Sequence, residues 1–443
     1  MWDDSRISSN WVPGCDIFDV PYHVFSGIWA KKLGEEDKVN SKSTPARSAA
    51  PLPHDCAKQD QLFSAAFSIL EDAISAHAFP AASVAVTHKG RLIALKAFGH
   101  FVYEKDRGAV APPLSRFVRQ GGEFDVSPST LFDLASLTKV VATTAMAMIL
   151  YQRGLLELDA PIIGTIPEFL ALNDFPNSGN SGDPCRRDVT FRMLLAHSSG
   201  LPAYEKLFLR ARTREELLPA TFATPLTADP GSRAEYSDIG FIILGIALER
   251  IAEESIDQFC QREIFGPLAM THTTFNPPAV MHGEIPPTAD DRTFRRRIIQ
   301  GEVQDENAFV LGGVAGHAGL FSASQDLARF AHAMLSGFCP ILRPETVSLF
   351  TRRESSPTGT SRALGWDTPS KPSQSGKYFG PRSYGHLGYT GTSLWLDPDR
   401  QLSVILLTNR TWPDGTNQAI KQVRPKFHDA VIEALEPEHT GGA

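Results

Sequence analysis

Cysteine is scarce in this chain. Its 443 residues hold five, Cys15, Cys56, Cys185, Cys260 and Cys339, scattered and never at C-x-x-C spacing. That pattern excludes a disulfide framework or a cysteine zinc site as the organising device and reads as free thiols. A basic excess is missing too. Lys and Arg total 43 against 50 Asp and Glu, a net charge of −7, so nucleic acid is not an expected partner. No run approaches the roughly 20 apolar residues that span a bilayer. The first residues, MWDDSRISSNWVPGCDIF, lack a basic stretch followed by an apolar one, so no secretory leader is visible and a cytoplasmic location is expected. Several catalytic signatures are absent as well. There is no G-x-S-x-G, no H-E-x-x-H and no G-K-[ST], which disfavours a nucleophile elbow, a zinc peptidase and a nucleotide site. The thirteen histidines are dispersed, so neither a metal nor any other cofactor is expected.

What remains is an ordinary globular composition, 42% hydrophobic and 21% charged. Residues 1–57 read as an extension and linker: the aromatics Trp2, Trp11, Phe18, Phe25 and Trp29, then a charged and Ser/Pro/Ala-rich piece. Residues 58–435 read as the catalytic unit and 436–443 as a tail. The segment Gln61–His77 places Leu62, Ala65, Ala66, Ile69, Leu70 and Ile74 on one helical face. Ser83–His88 and Leu92–Phe98 flank the turn signal Lys89-Gly90-Arg91, a hairpin pattern. A Gly/Pro-rich connection runs from Gly99 to Ser129. Strand patterns return at Gly391–Asp397 and Leu402–Asn409, joined by Pro398-Asp399-Arg400, before a helix over Thr416–Leu435 interrupted by Pro425. Strands from both ends thus bracket a helical middle. The expected architecture is an α/β part from about 58–130 and 330–435 plus a mostly helical part from about 131–329, with a site in the cleft between them.

Three constellations carry chemistry. Ser136-Leu137-Thr138-Lys139 opens a helix whose stripe is Leu137, Val140, Val141, Thr144, Ala145, Met148 and Ile149, with Gly154 as its stop. Positions three apart are neighbours, so Ser136 and Lys139 adjoin. A serine hydroxyl needs an adjacent base, and a lysine serves if burial and the helix N-terminus depress its pKa. The second is Tyr236-Ser237-Asp238, a polar triplet leading into an apolar helix from about Gly240 to Ile251; a tyrosine there can exchange protons with the serine or a leaving group. The third is His386-Leu387-Gly388-Tyr389 at a strand, where Gly388 permits close substrate approach, the Tyr389 N–H can donate to an oxyanion, and His386 can orient the acyl group or tune Tyr236.

In order and rough spacing these three resemble the serine β-lactamase and penicillin-binding-protein superfamily. VTFRMLLAHSSGLP (Val189–Pro202), IFGPLAMTHTTF (Ile264–Phe275), GGVAGHAGLFSASQDLARF (Gly312–Phe330) and GYTGTSLWLDPDRQLSVILLTNR (Gly388–Arg410) extend the likeness over about 60–435. It is most similar to the class C-like branch, with its family VIII carboxylesterases, D-stereospecific peptidases and DD-carboxypeptidases. The resemblance implies an α/β fold of the β-lactamase/transpeptidase type, an antiparallel sheet flanked by helices beside a helical domain. It implies an acyl-enzyme on Ser136, with Lys139 and Tyr236 as catalytic partners and the backbone N–H groups of Ser136 and Tyr389 as the oxyanion hole. Asp238, His386 and Gly388 fall at substrate-binding positions. Two departures from the lactamase pattern matter. Asp238 replaces an asparagine and would hold Lys139 protonated. His386 replaces a lysine and grips a substrate carboxylate poorly. Both favour hydrolysis of small esters, with weak β-lactam turnover. A D-stereospecific peptidase or DD-carboxypeptidase is the alternative, and a non-catalytic penicillin-recognising module is the alternative of another kind.

Other signals are set aside. His197-Ser198-Ser199-Gly200 reads as a structural turn, Glu168 as surface despite its likeness, with Asn173, to a class A deacylation motif, and His317 as a packed loop histidine. The Arg295-Arg296-Arg297 run reads as a solvated face, and Asp305 and Glu306 as the rim of the site.

Overall fold

The computed structural model describes residues 52–109, 125–170, 184–336 and 339–436. The early aromatics, Cys15 and Asn173 lie outside the described residues. The strands are β1 (Ala81–His88), β2 (Arg91–Gly99), β3 (Phe132–Asp133), β4 (Thr273–Phe275), β5 (Ala289–Asp291), β6 (Arg297–Ile299), β7 (Leu320–Ser322), β8 (Tyr384–Leu387), β9 (Ser393–Asp397) and β10 (Leu402–Thr408). Five of them form one antiparallel sheet in the order β2-β1-β10-β9-β8. The β1–β2 hairpin turns on Lys89 and Gly90, both at positive φ (46° and 76°), the two-residue loop whose twist matches that of the strands. β1 pairs with β10, Ala82 opposite Thr408 and His88 opposite Leu402. Segments more than 300 residues apart therefore share the sheet.

Both faces of this sheet are buried, which is why β10 reads as a nearly unbroken apolar run. Val84, Val86, Val404 and Leu406 point one way, against helices Ser64–Ser75 and Ile420–Leu435. Ala81, Ala85, Ile405 and Leu407 point the other way, into a larger core shared with helix Ser324–Leu335. Burying each valine or leucine contributes about 1.5–3 kcal/mol.

The first helix differs from its expected face. Its buried side is Phe63, Ala66, Phe67, Leu70 and Ala73, whereas Leu62 is 41% exposed. The paired rings of Phe63 and Phe67 set the phase, rotating the face by about one residue from the aliphatic pattern. The last helix runs without interruption through Pro425, because packing of Phe427, Val431 and Ile432 outweighs the one hydrogen bond that proline removes. Among the described residues, Cys56, Cys260 and Cys339 are free thiols. No helix there is long and apolar enough to cross a membrane.

A three-stranded sheet, β3-β7-β4, stands beside the first. After β3 the chain makes a 3-10 turn (Ala135–Leu137), a π-type turn (Lys139–Thr144) and an α-helix (Ala145–Gln152). The predicted single stripe is corrected here. Every residue from 137 to 150 is buried, so the segment is central and apolar all round. It stops at Gly154 as expected, where Leu155 N–H reaches Leu150 O and Gly154 N–H reaches Tyr151 O.

Candidate active site

Asp133 ends β3, and its Oδ1 accepts the Ala135 N–H at 2.8 Å. This side-chain turn delivers Ala135 at φ 46°, a conformation costing a non-glycine residue about 1–3 kcal/mol. Ser136 follows. Lys139, one turn on, donates to Ser136 Oγ at 3.0 Å, to Asp238 Oδ1 at 2.7 Å and to the His317 carbonyl at 3.0 Å. All three ammonium hydrogens are thereby used.

Tyr236 arrives from across the cleft. Ser237 caps helix Asp238–Ala252 through its Oγ, which accepts the Gly240 N–H at 2.9 Å. That cap fixes Tyr236 just outside the helix, where Oη donates to Ser136 Oγ at 2.7 Å. His197 holds it there. Its ring centroid lies 4.7 Å from that of Tyr236, its Nδ1 accepts the Ser237 N–H, and its carbonyl accepts the Glu235 N–H. The His197–Gly200 stretch is the expected turn after a helix, with His197 and Gly200 both at positive φ. Its histidine also buttresses the tyrosine, which the turn signature did not reveal.

β8 closes the third side. Thr390 Oγ1 donates to Asp133 O at 2.7 Å and Thr392 Oγ1 to Leu134 O at 3.0 Å, stapling the strand end to the segment that enters Ser136. A Cβ on Gly388 would stand 2.5 Å from Leu134 O, so only glycine allows this approach. Tyr389 leaves its ring 51% exposed, under the guanidinium of Arg410 at 4.5 Å. His386 is 3% exposed. Its Nδ1 faces Leu387 O at 2.8 Å and so carries the proton, leaving Nε2 a buried acceptor without a partner.

Electrostatics separate these groups. Burial opposes the charge of Lys139, yet the adjoining Asp238 carboxylate and Tyr236 outweigh it and hold the ammonium above its usual range. This is the protonated lysine that Asp238 implies in the sequence, so the condition for Lys139 to act as the base by itself, a depressed pKa, is not met. Burial and then Asp238 push Tyr236 up to about 12, against the opposing pull of Lys139. Burial, then Lys139 and Arg362, hold His386 well below its usual value, so it is neutral near pH 7.

Ser136, Tyr236, Asp238, His386, Gly388 and Tyr389 all line one cleft of about 730 Å³, with Lys139 fully buried beneath it. Asp305 and Glu306 form part of its wall, as expected. His317 is buried as predicted but also lines the cleft, its Nε2 2.8 Å from Asp305. Glu168 is on the surface, bound to Arg250. The arginine run is corrected in part. Arg296 and Arg297 are exposed, whereas Arg295 turns inward, pairs with Asp291 and donates to Val303 O and Gln304 O. Sequence reasoning missed the cations of the cleft, Arg362 and Arg424 among them. Arg362 lies 5.5 Å from the Tyr236 ring centroid, and Arg424 is only 4% exposed with its Nε unpartnered. No motif marks either one.

The architecture is that of the β-lactamase/transpeptidase-like superfamily. A family profile described as Beta-lactamase matches residues 66–424. The chain belongs to that family and is a hydrolase of it. A relative from Salmonella agona, named "Putative D-alanyl-D-alanine carboxypeptidase", is 30% identical over 396 residues, covering 82% of this chain and 85% of its own. Among solved structures, EstCE1, described as a hydrolase with promiscuous acyltransferase activity, matches with a TM-score of 0.65 at 21% identity, covering 85% of this chain and all of that one. The octameric penicillin-binding protein homologue from Pyrococcus abyssi matches with a TM-score of 0.61 at 21% identity over 83% of this chain and 77% of its own.

Proposed function

We propose that the protein is a serine hydrolase working through an acyl-enzyme on Ser136, acting chiefly on small carboxylic esters. The observation that carries this reading is the convergence of Lys139 Nζ and Tyr236 Oη on Ser136 Oγ at 3.0 and 2.7 Å. The competent form has one proton fewer on the Lys139–Tyr236 pair. Ser136 Oγ attacks the ester carbonyl and its proton passes to Tyr236 Oη, whose phenolate the neighbouring ammonium stabilises. The oxyanion sits on the N–H groups of Ser136 and Tyr389. As the C–O bond breaks, the departing alkoxide takes the proton from Tyr236. Water then repeats the sequence on the acyl group, giving acid and alcohol and restoring Ser136.

Two features favour esters. A lysine kept protonated by Asp238 is a poor shuttle to an amine leaving group, and an alkoxide needs less such help. A neutral His386 offers no charge to a substrate carboxylate. A second reading, a D-alanyl-D-alanine carboxypeptidase, is supported by the name of the 30%-identical relative and by Arg424, a buried cation in the cleft wall whose Nε lacks a partner.

The test is turnover of p-nitrophenyl acetate and butyrate beside nitrocefin and a D-Ala-D-Ala peptide. The expectation is hydrolysis of both esters, abolished by Ser136→Ala, with a single fluorophosphonate adduct on Ser136. Ester turnover that survives Ser136→Ala would end the proposal; faster turnover of the peptide would transfer it to the second reading.

A further inference from the structure

Asp133 is a fully buried carboxylate that no step above uses. Its Oδ1 accepts the Ala135 N–H at 2.8 Å and its Oδ2 the Gln304 N–H at 2.6 Å. Its backbone oxygen takes the Thr390 hydroxyl at 2.7 Å. One residue thus touches three walls of the cleft: the turn bearing Ser136, the loop leading into Asp305 and Glu306, and the strand end bearing Tyr389. The Gln304 side is itself braced, since Arg295 donates to Gln304 O at 2.6 Å and pairs with Asp291.

We infer that Asp133 is a positioning residue for the reaction at Ser136: as a carboxylate it clamps the Ser136 turn to the Gln304 loop and fixes where Oγ points. The inference rests on the acyl-enzyme reading. The backbone at Ala135 is strained, and this side-chain bond is what holds it there. Both carboxylate oxygens must accept. Protonation makes one of them a hydroxyl oxygen, a much weaker acceptor for the N–H that it faces.

The clamp should therefore be pH-sensitive. Burial raises the Asp133 carboxyl to about 6, although the two N–H groups favour its charge. The charged groups facing it are Asp305, which raises it further, and Arg295, which opposes. His317 reaches it only through Asp305. Lys139 and Tyr236, both held above their usual values, keep their protons through this range. Glu306 on the cleft wall is the competing titration, since burial raises it too.

The experiment is the rate of Ser136 acylation by a fluorophosphonate from pH 4.5 to 8 in the full chain, in Asp133→Asn and in Glu306→Gln. Because the Lys139–Tyr236 pair must lose a proton, every variant's rate falls on acidification with the same underlying slope; divided by that slope, the expected wild-type rate falls further, with a midpoint near 6. Asp133→Asn should be at least about tenfold slower at pH 8, with no such midpoint and with KM for p-nitrophenyl butyrate changed less than about twofold. Glu306→Gln should keep the midpoint. An Asp133→Asn protein as fast as wild type, or still showing the midpoint, overturns the inference, whereas absence of any Ser136 adduct in wild type overturns the acyl-enzyme reading instead. If Asp133→Asn does not fold, Asp133→Glu replaces it. That variant should keep the midpoint and lose rate, because its carboxylate is displaced by one methylene, and a rate equal to wild type would be fatal.

Discussion

Replacing Asp238 by asparagine tests what sets the reactivity of the site. Lys139 is fully buried and Asp238 17% exposed, with Nζ and Oδ1 2.7 Å apart. Two unit charges at that distance attract by about 6 kcal/mol at an effective dielectric of about 20. Asparagine keeps an oxygen for the same hydrogen bond but no charge. Burial, the largest influence on Lys139 and one opposing its ammonium, then prevails, and its pKa drops. If only a quarter of the attraction, about 1.5 kcal/mol, is lost, the alkaline rise in rate moves down by about one pH unit. The measurement is kcat/KM for p-nitrophenyl acetate between pH 6 and 10.5 in both proteins. Turnover of nitrocefin and of a D-Ala-D-Ala peptide should also rise relative to the ester, because a neutral amine can relay a proton to a nitrogen leaving group. Superimposable pH profiles would refute the claim that Asp238 controls the charge at Lys139.

Two further perturbations separate chemistry from folding. Tyr236→Phe keeps the ring against His197 and removes only Oη, so ester kcat should fall at least about 100-fold while the far-UV spectrum and thermal midpoint stay close to wild type; a loss under threefold would remove Tyr236 from proton transfer. His428 is buried beneath Ser393 and Arg424, and burial followed by Arg424 lowers its pKa to about 3. Because the folded value is below the unfolded one, its contribution to stability is full above about pH 6.5 and is lost as pH falls toward 3. Between pH 6.5 and 4.5 that loss is about 2.3 kcal/mol. His428→Asn should therefore lose about 2–3 kcal/mol less than wild type over that interval in urea unfolding, and equal losses would contradict the buried neutral histidine.

The antiparallel sheet was legible where local signals were strong. The Lys89-Gly90-Arg91 turn signal between two β-rich runs specifies a hairpin by itself, and so does Pro398-Asp399-Arg400 between β9 and β10. Which helix face meets the sheet was less so. Leu62 and Phe63 both look apolar in sequence, and only the volume between the sheet and helix Ile420–Leu435 makes the phenylalanine the buried one. The π-type turn after Ser136 left no trace either, since a segment buried on every side has no periodicity to read.

The site divides along the same physical line. A spacing of three brings Ser136 and Lys139 together whatever the rest of the chain does, because helical geometry is local. Their protonation is not local. The carboxylate that holds Lys139 charged is 99 residues away, the carbonyl that takes its third hydrogen is 178 away, and the clamp on the Ser136 turn reaches 171 residues to Gln304. Asp238 was identified from its motif, and its consequence for Lys139 followed from charge alone. Arg362, Arg424 and the side chain of Asp133 carry no motif, since a cation or carboxylate becomes part of this cleft only when distant segments bury it there. The reactivity proposed for Ser136 is thus a property of the closed fold: the same four-residue stretch in an exposed helix would have a solvated lysine, an ordinary hydroxyl and no reason to accept an acyl group.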